Sequence, residues 1–72
     1  MDISEYIKLC CVKRGDISVA ELARLSGQSS QNLSNKIARN NFKFSELEKI
    51  AQSLKCHIEL KFIDDETNLP LI

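Results

Sequence analysis

The stretch Ser18–Ile37, SVAELARLSGQSSQNLSNKI, decides the fold. It reads as two short helices joined by a tight turn at Gly27, where a residue with a side chain would be penalised. Ser18 with Glu21 forms a capping-box pattern that opens the first of these helices, which is expected to run through Ser26. Leu22 and Leu25 are expected to face inward, with Val19 and Ala23 completing that face; Ala23 is small, as a close helix crossing requires. Ser29 is the expected cap of the second helix, with Ser30 as the alternative. That helix reaches about Arg39. Its only large apolar residues, Leu33 and Ile37, lie one turn apart. At about 100° per residue, Gln31 and Asn35 occupy the opposite face, flanked by Asn32 and Arg39 on one side and Ser34 on the other. A surface helix built from amides and hydroxyls presents donors and acceptors in a pattern, which suits the edges of DNA bases.

Working outward from this segment, Asp2 and Glu5 pair as a capping signal for an N-terminal helix. Its apolar face is expected to be Ile3, Ile7 and Cys10 or Cys11, widened by Tyr6 and Leu9. Lys13 and Arg14 oppose the helix dipole, and Gly15 closes the helix. Downstream, Asn40 and Asn41 break the polar helix. Phe42 and Phe44 are expected to plug the core, base stacking being the habit of single-strand binders. Ser45 with Glu48 is read as a third capping box, opening a helix that turns Leu47, Ile50, Ala51 and Leu54 inward. From His57 the period changes to two. Ile58, Leu60 and Phe62 alternate with His57, Glu59 and Lys61, which predicts a half-buried strand over about residues 57–63. Asp64–Glu66 reads as a turn, and Asn68–Ile72 as a weak returning strand that Pro70 confines to an edge.

A chain of 72 residues predicts one domain, with little room for a deep substrate cavity. The single histidine, His57, has no evident partner, and neither a Gly-rich phosphate loop nor a metal-ligand set is visible. No catalytic activity, cofactor or metal is therefore expected. Three cysteines without a CxxC spacing, Cys10, Cys11 and Cys56, are read as buried or half-buried thiols. The N-terminus is not a signal-peptide pattern and no apolar run is long enough for a membrane span, so the expected location is the cytoplasm. Formal net charge is zero, but its distribution is uneven. Between Lys8 and Lys43 there are seven basic residues and two acidic ones, whereas the ends are acidic. One phosphate-facing side would produce such an asymmetry.

The run ELARLSGQSSQNLSNKI, with Leu22, Ala23, Gly27 and Leu33 at the signature spacings, resembles the Cro and lambda-repressor type of helix-turn-helix regulators, the XRE-like family. The continuation ARNNFKFSELEKIAQSL is similar to that family's next loop and helix, and the resemblance covers roughly residues 5 to 56. It implies a mainly α, four-helix domain with the helix-turn-helix at about 18–39, to which the C-terminal strand or weak hairpin is added. It also implies double-stranded DNA as partner, a transcriptional role that is most often repression, and a recognition helix in the major groove. Carried over by position, Gln31 and Asn35 are the leading base-reading candidates, with Ser30, Asn32 and Ser34 secondary. Ser29, Arg39, Asn41 and Lys43 are the phosphate-binding candidates. Two residues depart from the pattern. Gln28 replaces an apolar turn residue, which is expected to loosen the turn. Val19 replaces a glutamine that holds a phosphate in several relatives. The resemblance also implies a homodimer, joined here through Ile58, Leu60, Phe62 and Ile63, because an unpaired apolar strand invites a second chain. An intrachain hairpin with Asn68–Ile72 is the competing arrangement. The competing class of function is a protein-interaction module on a degenerate helix-turn-helix scaffold, favoured by the neutral charge and the acidic C-terminal third.

Overall fold

The computed structural model describes residues 2–72 and contains four helices: α1 Ile3–Lys13, α2 Val19–Leu25, α3 Ser30–Arg39 and α4 Phe44–Ser53. None of them is long and apolar enough to cross a membrane. Each of the first three begins where a short polar side chain satisfies an orphan backbone donor. Asp2 accepts from the Glu5 amide at 2.8 Å, Ser18 from the Glu21 amide at 3.1 Å and Ser29 from the Asn32 amide at 3.1 Å. Gly15 and Gly27 both lie at positive φ, 96° and 74°, the conformation foreseen for the ends of α1 and α2.

All four helices contribute to one core. Ile7 and Cys11 of α1, Leu22 and Ala23 of α2, Leu33 of α3, and Ile50 of α4 with the following Leu54 are buried together. Cys10, Ile17, Val19, Ile37, Phe42 and Leu47 pack against this cluster. Helix phase explains which apolar residues are left out. On α1 the buried line is Ser4, Ile7 and Cys11, so Ile3, Tyr6 and Leu9 are exposed rather than part of the inward face. On α2, Leu22 and Ala23 define the buried direction, and Leu25 lies about 110° round from it; it is 42% exposed. Phe42 reaches the core, but Phe44 is the first residue of α4 and remains half exposed.

The start of α4 also differs from expectation. Its N-cap is Lys43, two residues before Ser45. The acid that closes this end is Glu46, not Glu48: its carboxylate accepts from the Lys43 amide at 2.8 Å. A carboxylate reaching back to a backbone donor can start a helix even where the cap residue has no acceptor of its own.

The expected C-terminal strand is not formed. Residues 57–62 run on without a ladder, and among the described residues there is no sheet. The weak return is reduced to one antiparallel bridge, Ile63 with Pro70. Hydrogen bonds from the Asp64 amide to the Leu69 carbonyl (2.8 Å) and from the Leu71 amide to the Phe62 carbonyl (2.9 Å) frame it. The alternation at 57–62 has nothing to act on: both Leu60 and Phe62 are 69% exposed, so neither face is buried. The returning segment is short and Pro70 has no N–H to donate. A lone hairpin of this kind is marginal without a third strand or a covering helix.

Candidate nucleic-acid interface

Helix α3 is fixed by its two ends and one seam. Leu33 is fully buried and Ile37 packs on the core. Asn40 closes the helix in the left-handed conformation, φ 53°, which asparagine tolerates better than most residues. Its side-chain oxygen accepts from the Ser4 amide at 2.9 Å and from the Ser4 hydroxyl at 3.0 Å. The same hydroxyl reaches the Ile37 carbonyl at 2.7 Å. One buried serine on α1 thus holds the last turn of α3. Sequence reasoning missed this knot, because partners 36 residues apart leave no local pattern.

The opposite side of α3 faces solvent. Gln31 and Asn35, the leading base-reading candidates, are exposed, as are Ser30, Asn32 and Ser34. Asn32 and Asn35 share a recess of about 240 Å³ with Lys36, Arg39, Asn41, Lys43 and Glu46. Three of the four phosphate-binding candidates, Arg39, Asn41 and Lys43, therefore stand beside two of the base-reading candidates. Ser29 stands apart at the helix start, where its oxygen caps the Asn32 amide. Gln31, Ser30 and Ser34 lie outside the recess.

The charges around this face are not equally available. Lys36 is paired with Glu46, and Arg24 with Glu21. The Arg24 guanidinium holds the Glu21 carboxyl below the usual carboxylate range, and Glu21 in turn pushes the Arg24 guanidinium up. Glu21 is thus turned to Arg24 along α2 rather than back to the helix start, so only the serine half of that capping box operates. Among the described residues, neither Arg39 nor Lys43 takes part in an ion pair. These two side chains supply the free positive charge beside Asn35.

Gln28 has a different role from the loosening expected of it. Its amide nitrogen donates to the Ser26 hydroxyl at 3.0 Å, and that hydroxyl donates to the Leu22 carbonyl at 2.8 Å. The Gln28 oxygen accepts from the Asn32 amide nitrogen at 2.9 Å. A polar chain therefore runs from α2 through the turn onto α3, in the place of an apolar plug. It also occupies one donor of Asn32. A bidentate contact with adenine needs an amide free to turn its donor and acceptor to the base; among the described residues Gln31 and Asn35 have no such tether, whereas Asn32 is held by Gln28.

The model of the Cro/C1-type HTH DNA-binding domain family matches residues 12–64, from the end of α1 into the C-terminal arm. The chain belongs to this family of helix-turn-helix DNA-binding domains. No match was found among curated proteins or among solved structures.

Proposed function

We propose that the chain is a small transcriptional regulator, acting as a repressor, that reads double-stranded DNA with α3 in the major groove. Gln31 and Asn35 read base edges, assisted by Ser30, Asn32 and Ser34. Arg39, Asn41, Lys43 and the Ser29 end of α3 hold phosphates and set the register. The observation that carries this reading is the exposed amide face of α3 lying beside two unpaired cations in a helix-turn-helix of the Cro/C1 type.

The regulator works as a homodimer joined through the arm that follows α4. Ile58, Leu60, Phe62 and Ile63 are all exposed in the single chain, and the neutral total charge limits what one copy gains from phosphates. Two copies would place their recognition helices on half-sites about 34 Å apart.

Retention of the purified protein on duplex DNA over a salt series tests the first part. Log affinity should fall linearly with log salt, with the slope shallower by about one phosphate contact in Arg39→Ala or Lys43→Ala. Absence of retention at low salt would instead support an interaction module. Sedimentation at micromolar concentration tests the second part: a dimer is expected, and a strict monomer would remove it.

A further inference from the structure

A second recess, of about 570 Å³, lies between α1 and α4 and is lined largely by apolar side chains of both helices. It contains Tyr6, Cys10, Arg14 and Cys56. On α1, Tyr6, Cys10 and Arg14 follow one another at intervals of four residues and so stack along one stripe. Cys56 comes from the other wall, just past the end of α4. The Arg14 guanidinium donates to the Cys56 sulfur at 3.3 Å. The Tyr6 phenol is raised above its usual range, chiefly by the Cys10 side chain one turn along α1. Two thiols from distant parts of the chain thus line one recess, one of them bonded to Arg14.

The three cysteines are unequal in access. Cys10 is half-buried and Cys11 buried, as expected, but Cys56 is exposed, contrary to the expectation that it would be at least half-buried. Cys11 points about 100° away from Cys10, into the core, where burial pushes its thiol up. A reactive cysteine is an accessible one beside positive charge. Cys56 fits that description: its sulfur accepts from Arg14, and its thiol donates to the Leu54 carbonyl at 3.3 Å. Cys10, lining the same recess, is the candidate resolving thiol.

We propose that Cys10 and Cys56 form an oxidant-responsive dithiol, whose substrate is hydrogen peroxide and whose product is an intrachain disulfide. The Cys56 thiolate attacks the peroxide oxygen: the S–O bond forms, the O–O bond breaks, and the leaving oxygen departs as hydroxide and takes up a proton as water. The Cys10 thiolate then attacks the Cys56 sulfur. The S–S bond forms, the S–O bond breaks, and a second water leaves with the proton that Cys10 has given up. The two sulfurs lose two electrons in all, and one peroxide becomes two waters. Arg14 faces the attacking sulfur with positive charge. The bridge ties α1 to the first residues of the arm, two positions before Ile58, and leaves α3 untouched.

The test uses the reduced full chain, hydrogen peroxide, and alkylation of the remaining thiols after denaturation. Peptide mapping with fragmentation should find Cys10 joined to Cys56 within one chain and Cys11 alkylated. Non-reducing electrophoresis should show a monomer band. The oxidised protein should melt at least about 10 °C higher, as a long closed loop predicts for a domain of this size. Arg14→Met should slow the reaction several-fold, and Arg14→Lys should largely restore it. Cys10→Ser should leave Cys56 at the sulfenic acid, which dimedone traps. A disulfide that includes Cys11, a Cys56–Cys56 link between chains, a reaction that stops at Cys56 in the unmodified protein, or an unchanged rate in Arg14→Met would each overturn the proposal.

Discussion

The turn between α2 and α3 and the arm after α4 both carry clear sequence patterns, yet only one of them is built into the fold. In the turn, the side chains of Ser26, Gln28, Asn32 and Ser29 form a continuous set of hydrogen bonds over the buried Leu22 and Leu33. In the arm, Ile58 lines the recess between α1 and α4, but Leu60, Phe62, Leu69 and Leu71 are all more than 60% exposed. Periodicity reports that a segment could bury one face. Whether it does depends on a second surface, and this chain supplies one for the turn and, past Ile58, none for the arm.

The widest contrast is in stability. Leu33→Ala removes a fully buried side chain and should cost about 2–5 kcal/mol, much of the total for a small domain. Phe62→Ala at low protein concentration should change the unfolding free energy from urea titration by less than about 0.5 kcal/mol. Equal losses would mean that the arm is packed in solution and that the contrast fails.

A smaller loss is expected at the knot between α1 and α3. Ser4→Ala removes the hydroxyl that joins the Ile37 carbonyl to Asn40, at a cost of about 1–2 kcal/mol in chemical denaturation. Gln28→Ala comes next. It cuts the polar chain across the turn and should cost about 0.5–1.5 kcal/mol. A stabilising effect of Gln28→Leu would show that the turn prefers the apolar plug after all.

The smallest effect belongs to the exposed pair of Glu21 and Arg24. The folded carboxyl lies below its unfolded value. Its contribution is therefore complete above the unfolded value and is lost as pH falls through the folded one. Thermal midpoints of Glu21→Gln should run slightly below those of the parent at neutral pH and converge with them as pH falls below the ordinary carboxylate range.

What was legible in the sequence was local. Ser18 and Ser29 announce the starts of α2 and α3 because a cap acts on an amide three residues away. The spacing of Leu33 and Ile37 sets the phase of α3, and that phase alone puts Gln31 and Asn35 on the outer face. The start of α4 was misplaced because Lys43 looks nothing like a cap; only the reach of Glu46 to its amide reveals it. Apolar character alone places Ile3, Tyr6, Leu9 and Leu25 inward, but the buried stripe is too narrow to take them. The tie of Ser4 to Asn40 and the meeting of Arg14 with Cys56 depend on chain reversal, which no spacing records. The free charge on Arg39 and Lys43 became visible only once Lys36 was seen to be taken up by Glu46.

The central claim is that the amide face of α3 reads bases while the cations beside it hold the backbone. Its most direct test starts from duplexes selected out of a random pool. Gln31→Ala and Asn35→Ala should each weaken binding to the selected sequence by about 1–3 kcal/mol. Binding to unrelated duplex and the salt slope should stay as they are. If both variants keep the parent's affinity for the selected and the unrelated DNA alike, α3 does not present its reading face as described.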